Sequence, residues 1–217
     1  MSNLTKRILT SVLLLPFSFY FLILGGNELK FFLTIILLIG VYEVFNSFKK
    51  LSSKFYLLII LTTSLYSIYF LQRETFLSNF LLWFAISISI SSDIGGYIFG
   101  KTFKWKKISK ISPNKTLSGV IGSYLFSILT LVVFNKFLSE ANLNISRLYF
   151  VPGVLLAVVF STVSQLGDLS ISYLKRKENI KDTGRILPGH GGIFDRIDGL
   201  MFVVILALII YQFGHLK

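Results

Sequence analysis

The sequence predicts an all-α protein, a polytopic membrane helical bundle with about seven transmembrane helices, and three observations lead to this fold class. Of the 217 residues, 53% are hydrophobic and 16% are aromatic, and the mean hydropathy is +0.73. These values exceed those typical of soluble domains. The apolar residues fall into seven runs, most of them near the roughly 20 residues that cross a bilayer. Because the runs lack the alternation of a membrane barrel, each is predicted to be a helix.

The runs follow one another with short connections. They cover residues 8–24, 29–45, 55–71, 76–99, 117–138, 149–171 and 199–214. The first run has a basic start, as a signal peptide would, but it leads straight into the next apolar run without a small-residue cleavage site, so we expect a first span. Residues 1–75 are predicted to be scaffold helices and residues 76–217 a catalytic membrane domain, together forming one structural unit.

The basic residues predict the orientation of the bundle. When the loops are assigned to alternate sides, 17 of the 22 Lys and Arg residues fall on one side. By the positive-inside rule this side is cytoplasmic, which places the amino terminus inside and the carboxyl terminus outside. The charged loops 101–116 and 175–198 then face the cytoplasm. We attribute the net charge of +12 to this topology and to anionic lipid or nucleotide, rather than to nucleic acid.

Acidic residues and missing cysteines narrow the chemistry. The chain has no cysteine, which excludes disulfides, thiolate zinc sites and thiol nucleophiles. Any metal must therefore be held by oxygen or imidazole. All five aspartates follow residue 92, so the first three spans are expected to be scaffold. Their one acid inside an apolar run, Glu43, lies close to Lys49 and Lys50 and is expected to be solvated at the membrane surface.

Asp93 lies near the end of the fourth run. A charged group at mid-membrane costs about 2.5 to 3.5 kcal/mol on insertion scales, so we expect Asp93 near the cytoplasmic end or facing a polar cavity. Ser89 precedes it by one turn on the same face. A helix-packing face of small residues that ends in a solvated aspartate remains an alternative.

Residues 101–115 contain six lysines and no acid. Such a loop is typical of a surface that binds lipid headgroups. However, Ser112, Lys115 and Thr116 directly precede the fifth run, where lysine, hydroxyls and helix-terminal N–H groups together predict a phosphate site.

The sixth run carries one polar stripe on an otherwise apolar helix. Its members recur at helical spacing: Ser161, Ser164 or Gln165, Asp168, Ser172 and Lys175. The stripe must face protein or water. Helix packing through serines is the alternative, but the acid at its centre favours a functional site.

The segment 172–198 concentrates opposite charges and four glycines between two apolar runs. Asp195 and Asp198 share a helix face at the start of the last run, and such oxygen pairs suit Mg²⁺, which binds one or two carboxylates plus substrate phosphates. Helix capping by either aspartate is the alternative. The backbone of residues 188–192 would surround a phosphate or form a tight turn. His190 has no second histidine nearby and does not predict a metal site.

Together these residues resemble the phosphatidate cytidylyltransferases, the CDP-diacylglycerol synthases. The family signature is matched by Ser172, Leu174, Lys175, Arg176, Lys181, Asp182, Gly184, Pro188, His190, Gly191, Gly192, Ile193, Asp195, Arg196, Ile197 and Asp198. Earlier blocks match at Asp93, Tyr97, Gly100, Lys101, Ile111, Ser112, Pro113, Lys115, Thr116, Gly119 and residues 164–168. The chain departs from the family at Asn114, where lysine is usual, and at Ser118, where an acid is usual, and it is shorter than most members.

The resemblance implies that CMP is transferred from CTP to phosphatidic acid, which gives CDP-diacylglycerol and pyrophosphate. It also implies Mg²⁺, with K⁺ in bacterial members, and a location in the bacterial inner membrane. The expected partners are the two substrates and the lipid bilayer, without nucleic acid, and a homodimer stays open.

The resemblance also assigns expected roles. The metal would be held by Asp168, Asp195 and Asp198. The phosphates would be neutralised by Lys175, Arg176, Lys181 and Arg196, with Asp182 also in the catalytic set and His190 donating a hydrogen bond. Substrate would be bound by Ser112, Lys115, Thr116, Gly191 and Gly192, with Asp93 positioning polar partners.

Two other functions were weighed. A cation-coupled transporter would use Asp93 and Asp168 as an intramembrane relay, but it predicts broken helices in repeated halves, which the sequence lacks. A polyprenol kinase or an archaeal-lipid cytidylyltransferase is the second alternative, and its product would distinguish it.

Overall fold

The computed structural model of the protein describes residues 3–109, 112, 115–140, 150–184, 186 and 191–215, without the side chains of 3–11, 13, 138–140, 150, 151 and 215. These ranges contain seven helices: α1 Asn3–Leu24, α2 Gly26–Ser47, α3 Leu51–Arg73, α4 Phe76–Phe103, α5 Leu117–Glu140, α6 Phe150–Lys177 and α7 Phe194–His215. Of these, α3 to α7 contain segments long and apolar enough to cross a membrane. The predicted all-α polytopic membrane bundle is confirmed.

The outside of the bundle is apolar along its length. Side chains such as Phe31, Ile59 and Leu129 are more than half exposed although they are large and hydrophobic. A protein in water rarely leaves so many such groups uncovered, whereas lipid covers them without penalty. The chain is therefore an integral membrane protein.

The seven helices coincide with the seven predicted runs and extend beyond them, and the extensions of α4, α6 and α7 bear on the site. Helix α4 continues to Phe103 and α6 to Lys177, while α7 already begins at Phe194. The added turns are polar, and Lys and Arg are good helix formers once the chain leaves the hydrocarbon. The segment 172–198 is therefore helical at both ends, and the described residues between these ends, 178–184, 186 and 191–193, are not helical.

Helix α7 lies at the centre of the bundle, packed against α3, α4 and α6. Its residues Val204 and Ala207 belong to a core formed with α4 and α6. Its residues Phe194 and Met201 belong to a second core, formed with α2 and α3. The scaffold helices and the later helices are thus joined through the same helix.

The loops that were predicted to share one side of the membrane meet at one end of the bundle. Lys50, before α3, donates from Nζ to the Lys177 carbonyl oxygen at the end of α6, at 3.0 Å. At the opposite end, the hydroxyls of Thr75 and Tyr211 lie 3.1 Å apart. This arrangement agrees with the alternating loops inferred from charge.

Candidate active site

The start of α7 is tied to the loop before it by Asp195. Oδ2 accepts hydrogen bonds from the Thr183 backbone N–H at 2.8 Å, the Thr183 hydroxyl at 3.0 Å and the Gly192 N–H at 3.0 Å. Oδ1 forms an ion pair of 2.6 Å with Lys175 Nζ. Both oxygens of Asp195 therefore have partners within the chain, and a metal at Asp195 would compete with Lys175 for Oδ1.

The second ion pair of the site joins the basic loop to α6. Lys115 Nζ lies 2.7 Å from Asp168 Oδ2 and donates to the Gln165 carbonyl oxygen at 3.0 Å. The Ser172 hydroxyl donates to Asp168 Oδ1 at 3.3 Å. The side chains of Lys115 and Asp168 are 23% and 31% exposed, against 12% and 8% for Lys175 and Asp195. The first pair is thus the more accessible to a ligand.

Three carboxyl groups from three helices interact with one another, and Lys115 interacts with two of them, Asp93 and Asp168. Asp198 on α7 is within hydrogen-bonding reach of Asp168 on α6, and Asp93 on α4 interacts electrostatically with both. Asp93 is exposed rather than enclosed. This group contains three acids and one lysine, so it attracts a further cation.

The residues present fit a divalent metal with two protein ligands. Within the described part of the chain, no three His, Cys, Asp or Glu side chains gather as a ready-made metal site. Asp168 and Asp198 do meet across α6 and α7, and a cation between them would remove the repulsion of like charges. Mg²⁺ uses one or two carboxylates and takes its other ligands from water and substrate phosphates. The structure brings the predicted ligands Asp168 and Asp198 together, whereas the third, Asp195, forms an ion pair with Lys175.

Residues 106–108 of the basic loop pair with residues 115–117 just before α5. The Ile108 N–H donates to the Lys115 carbonyl oxygen and the Leu117 N–H to that of Lys106, both at 3.0 Å. This backbone pairing aims Lys115 at α6. Ser112, half-buried, accepts from the Lys115 N–H through its carbonyl oxygen at 3.1 Å.

Thr116 caps α5. Its Oγ1 accepts from the Gly119 N–H at 3.2 Å, as expected of an N-cap residue. The hydroxyl of Ser118 lies 3.0 Å from the same Oγ1. The hydroxyl of Thr116 therefore caps α5 in this structure. Its contact with substrate stays a prediction.

The polar stripe of α6 divides into two parts with different roles. Ser161 and Ser164 are fully buried, and their hydroxyls lie 2.9 and 3.0 Å from those of Ser92 and Ser89 on α4. This half matches the alternative of serine-mediated helix packing. Only the half from Asp168 onward faces the charged end of the bundle.

Four of the remaining predicted residues lie on the surface. Exposed side chains belong to Arg176, Lys181, Asp182 and Arg196. Gly191 has a φ of 85°, which favours glycine, and a Cβ there would come within 2.8 Å of Asp195 Oδ2. The Gly192 N–H donates a hydrogen bond to Asp195 Oδ2. His190 lies outside the described residues.

Glu43 is buried, so the prediction that it is solvated at the membrane surface is wrong. Its side chain is 1% exposed, and its carboxylate accepts hydrogen bonds from the N–H groups of Ile193, at 2.8 and 2.9 Å, and of Phe194, at 3.4 Å. These partners lie about 150 residues away in the sequence, whereas the prediction of a solvated side chain relied on the nearby Lys49 and Lys50. The one available signal was an acid inside an apolar run, which is rare unless it is paired.

A second glutamate joins the scaffold helices to α6 at the water-facing edge. Glu178 accepts from the Ser53 hydroxyl at 2.7 Å and from the backbone N–H groups of Lys49, at 3.1 Å, and Lys50. The hydrogen bond from Ser53, followed by those from the two N–H groups, lowers the pKa of this carboxyl below its ordinary value. Glu178 fixes the loop before α3 without contacting the aspartates.

Comparison with known proteins gives a consistent result. A protein-family model described as "Cytidylyltransferase family" matches residues 48–214. A phosphatidate cytidylyltransferase of Rickettsia conorii is 34% identical over 214 residues, which cover 96% of this chain and 91% of the relative. One of Rickettsia bellii is 36% identical over 207 residues, covering 92% and 87%.

The staphylococcal relatives are more similar over a shorter stretch. A phosphatidate cytidylyltransferase of Staphylococcus epidermidis is 47% identical over 122 residues, 56% of this chain. The chain spans about half the length of that relative, since the match covers 45% of it.

Proposed function

Because the chain belongs to the cytidylyltransferase family, we propose that it transfers CMP from CTP to phosphatidic acid and forms CDP-diacylglycerol and pyrophosphate. The relatives that match almost the whole chain carry the name of this activity. Neither the family nor these names favour a transporter or a polyprenol kinase.

The observation that carries the proposal is the meeting of carboxylates and a lysine from three helices at one end of the bundle. Asp93, Asp168 and Asp198 come from α4, α6 and α7, and Lys115 reaches them from the basic loop. Two polyanions can approach each other only where positive charge offsets their repulsion. A site that holds both acids and lysines supports cation-assisted phosphate chemistry.

The reaction needs no nucleophile from the protein. An oxygen of the lipid phosphate attacks the α-phosphorus of CTP, a new P–O bond forms, and the bond to the β-phosphate oxygen breaks to release pyrophosphate. Lys115 and the exposed basic side chains of the loop bind phosphate oxygens and align the two substrates. Mg²⁺, when bound at Asp168 and Asp198, would stabilise the charge that develops on the transferred group.

The basic residues of the site are expected to bind different phosphate groups. Arg176, Lys181 and Arg196, which are exposed, would bind the leaving pyrophosphate, and Asp182 and His190 remain expected members of the catalytic set. Lys115 is closer to the acids and would hold the reacting phosphates. The site would face the cytoplasm, where CTP occurs, as the distribution of basic loops predicts. A K⁺ ion and a homodimer are further expectations.

The test uses the purified full chain in nanodiscs that contain phosphatidic acid. With CTP and Mg²⁺ we expect CDP-diacylglycerol and an equal amount of pyrophosphate, detected by mass spectrometry and by a coupled phosphate assay. Parallel nanodiscs contain a polyprenol in place of phosphatidic acid. A phosphorylated polyprenol, or no cytidylated lipid at all, would overturn the proposal.

A further inference from the structure

Helix α7 begins without a local capping side chain. Its N-cap position is Ile193, preceded by Gly191 and Gly192, and none of these offers a side-chain acceptor. The first N–H groups of a helix need partners when they are buried, because an unpaired buried donor is expensive. For α7 these partners must come from elsewhere in the chain.

Glu43 on α2 supplies the missing acceptors. Its two oxygens lie 2.8 and 2.9 Å from the Ile193 nitrogen, and Oε2 lies 3.4 Å from the Phe194 nitrogen. A carboxylate at a helix N-terminus is favoured by the helix dipole as well as by these bonds. Glu43 therefore caps α7 from a different part of the molecule.

The same carboxylate also meets the loop that Asp195 holds. The Thr183 hydroxyl lies 3.4 Å from Glu43 Oε2 and 3.0 Å from Asp195 Oδ2, so it stands between the two acids. Gly192 lets the backbone pass, because a Cβ at this position would approach Glu43 Oε2 to 2.6 Å. Glu43 and Asp195 thus fix both sides of the same turn.

Packing alone does not explain a glutamate at this position. A buried carboxylate costs free energy unless it is well hydrogen-bonded, and an apolar residue would fill the space without that cost. Glu43 also lies outside residues 48–214, the part of the chain that the family model matches. Its contacts instead lead directly to the first turn of α7, which carries Asp195 and is followed at once by Asp198.

We propose that Glu43 is a positioning residue for the transfer reaction, acting through the start of α7. It sets the position and direction of the first turn, and thereby holds Asp198 against Asp168. Glu43 touches neither substrate nor metal in this account. The inference rests on the proposed function and adds a residue from the scaffold helices to the site.

The test compares Glu43→Gln with Glu178→Gln. Glutamine keeps the size of Glu43 but replaces one acceptor oxygen with an NH₂ group that cannot accept from the α7 N–H groups. We expect kcat per folded enzyme to fall between about tenfold and a hundredfold, as for small displacements of reacting groups. The KM for CTP should change by less than about threefold, because a loss confined to the transition state lowers kcat. Glu178→Gln also removes a carboxylate that accepts backbone N–H groups, but those of Lys49 and Lys50 instead of α7, and should retain the wild-type kcat.

Two further variants separate positioning from folding. Glu43→Asp keeps the charge on a shorter side chain and should recover part of the lost kcat. Thr183→Val removes the hydroxyl between the two acids at nearly constant volume and should lower kcat less than Glu43→Gln does. The amount of folded protein is measured by size-exclusion chromatography and thermal unfolding in detergent.

The outcomes distinguish the proposals. A Glu43→Gln enzyme with kcat within about twofold of wild type, or one whose loss equals its loss of folded protein, would overturn the positioning role. Failure of the wild-type protein to make CDP-diacylglycerol would instead overturn the proposed function.

Discussion

The two lysine–aspartate pairs of the site have the same chemistry and nearly the same length but opposite surroundings. Lys175 and Asp195 lie 2.6 Å apart, almost enclosed, with three more donors on the aspartate. Lys115 and Asp168 lie 2.7 Å apart, two to four times more exposed, with Asp198 as a like-charged neighbour. A satisfied pair stabilises the fold, whereas a pair with excess negative charge can exchange its lysine for a ligand. We therefore expect Lys175–Asp195 to be a structural pair and Lys115–Asp168 to be the reactive pair.

The largest effect is expected from the reactive pair. Asp168→Asn or Asp198→Asn removes a carboxylate that would hold the metal, and we expect CDP-diacylglycerol synthesis to fall about a thousandfold. Initial rates at saturating Mg²⁺ measure this loss. The thermal unfolding midpoint should stay near that of wild type, because each substitution also removes a repulsion. A variant that unfolds far below wild type would mean that these acids are structural.

Substitutions in the structural pair, Lys175 and Asp195, should lower the free energy of unfolding. Lys175→Met leaves Asp195 buried without its cation, and breaking one partner of a buried pair typically costs about 3 to 5 kcal/mol. Chemical denaturation in mixed micelles measures the change. The double variant Lys175→Met with Asp195→Leu should recover part of the loss, since no charge is then stranded. If the single variant is as stable as wild type, the two pairs do not differ as described.

Lys115→Met tests the reactive pair from the lysine side. Asp168 is accessible to water, so the free energy of unfolding should change by less than about 1 kcal/mol. The KM for CTP or for phosphatidic acid should rise about tenfold, because one phosphate contact is lost. Steady-state kinetics with each substrate varied in turn identify which phosphate Lys115 binds. An unchanged KM for both would contradict its binding role.

The smallest effect is expected at Glu178, a carboxylate outside both pairs. Its pKa lies below the ordinary value of 4.5, so the folded state favours the charged form. The resulting stabilisation is complete above the ordinary pKa and disappears as the pH falls through the lowered one. Thermal unfolding of wild type and Glu178→Gln, compared from about pH 6 to about pH 3, should show a gap that closes in acid. If the difference between wild type and Glu178→Gln instead widens in acid, the pKa of Glu178 is not lowered in the folded state.

Local pattern was sufficient to predict the helices. The seven runs appear as seven helices because a backbone in hydrocarbon has to satisfy its own hydrogen bonds, so that the length of each apolar run fixes one element. The ends at Phe103, Lys177 and Phe194 were not predicted, since hydropathy marks the edge of the lipid rather than the end of a helix. Caps such as Thr116 mark these ends more accurately.

The site was predicted less completely because its partners are distant in sequence. Spacing places Asp195 and Asp198 on one face, but only the fold shows that Asp195 meets Lys175 while Asp198 meets Asp168. For the same reason, the stripe on α6 looked continuous although its first half pairs with serines of α4. Contacts between helices depend on rotation and tilt, which a single helix pattern does not specify.

The bonds from Glu43 to α7 also affect the order in which the protein matures. Glu43 and its donor partner Ile193 are 150 residues apart, so the ribosome has made most of the chain before the two can meet. Until α7 is made, Glu43 lacks the hydrogen bonds from the N–H groups of Ile193 and Phe194. Closure of the charged end is therefore among the last events of biogenesis, and a chain interrupted before α7 would contain α1 to α6 without Asp195 and Asp198.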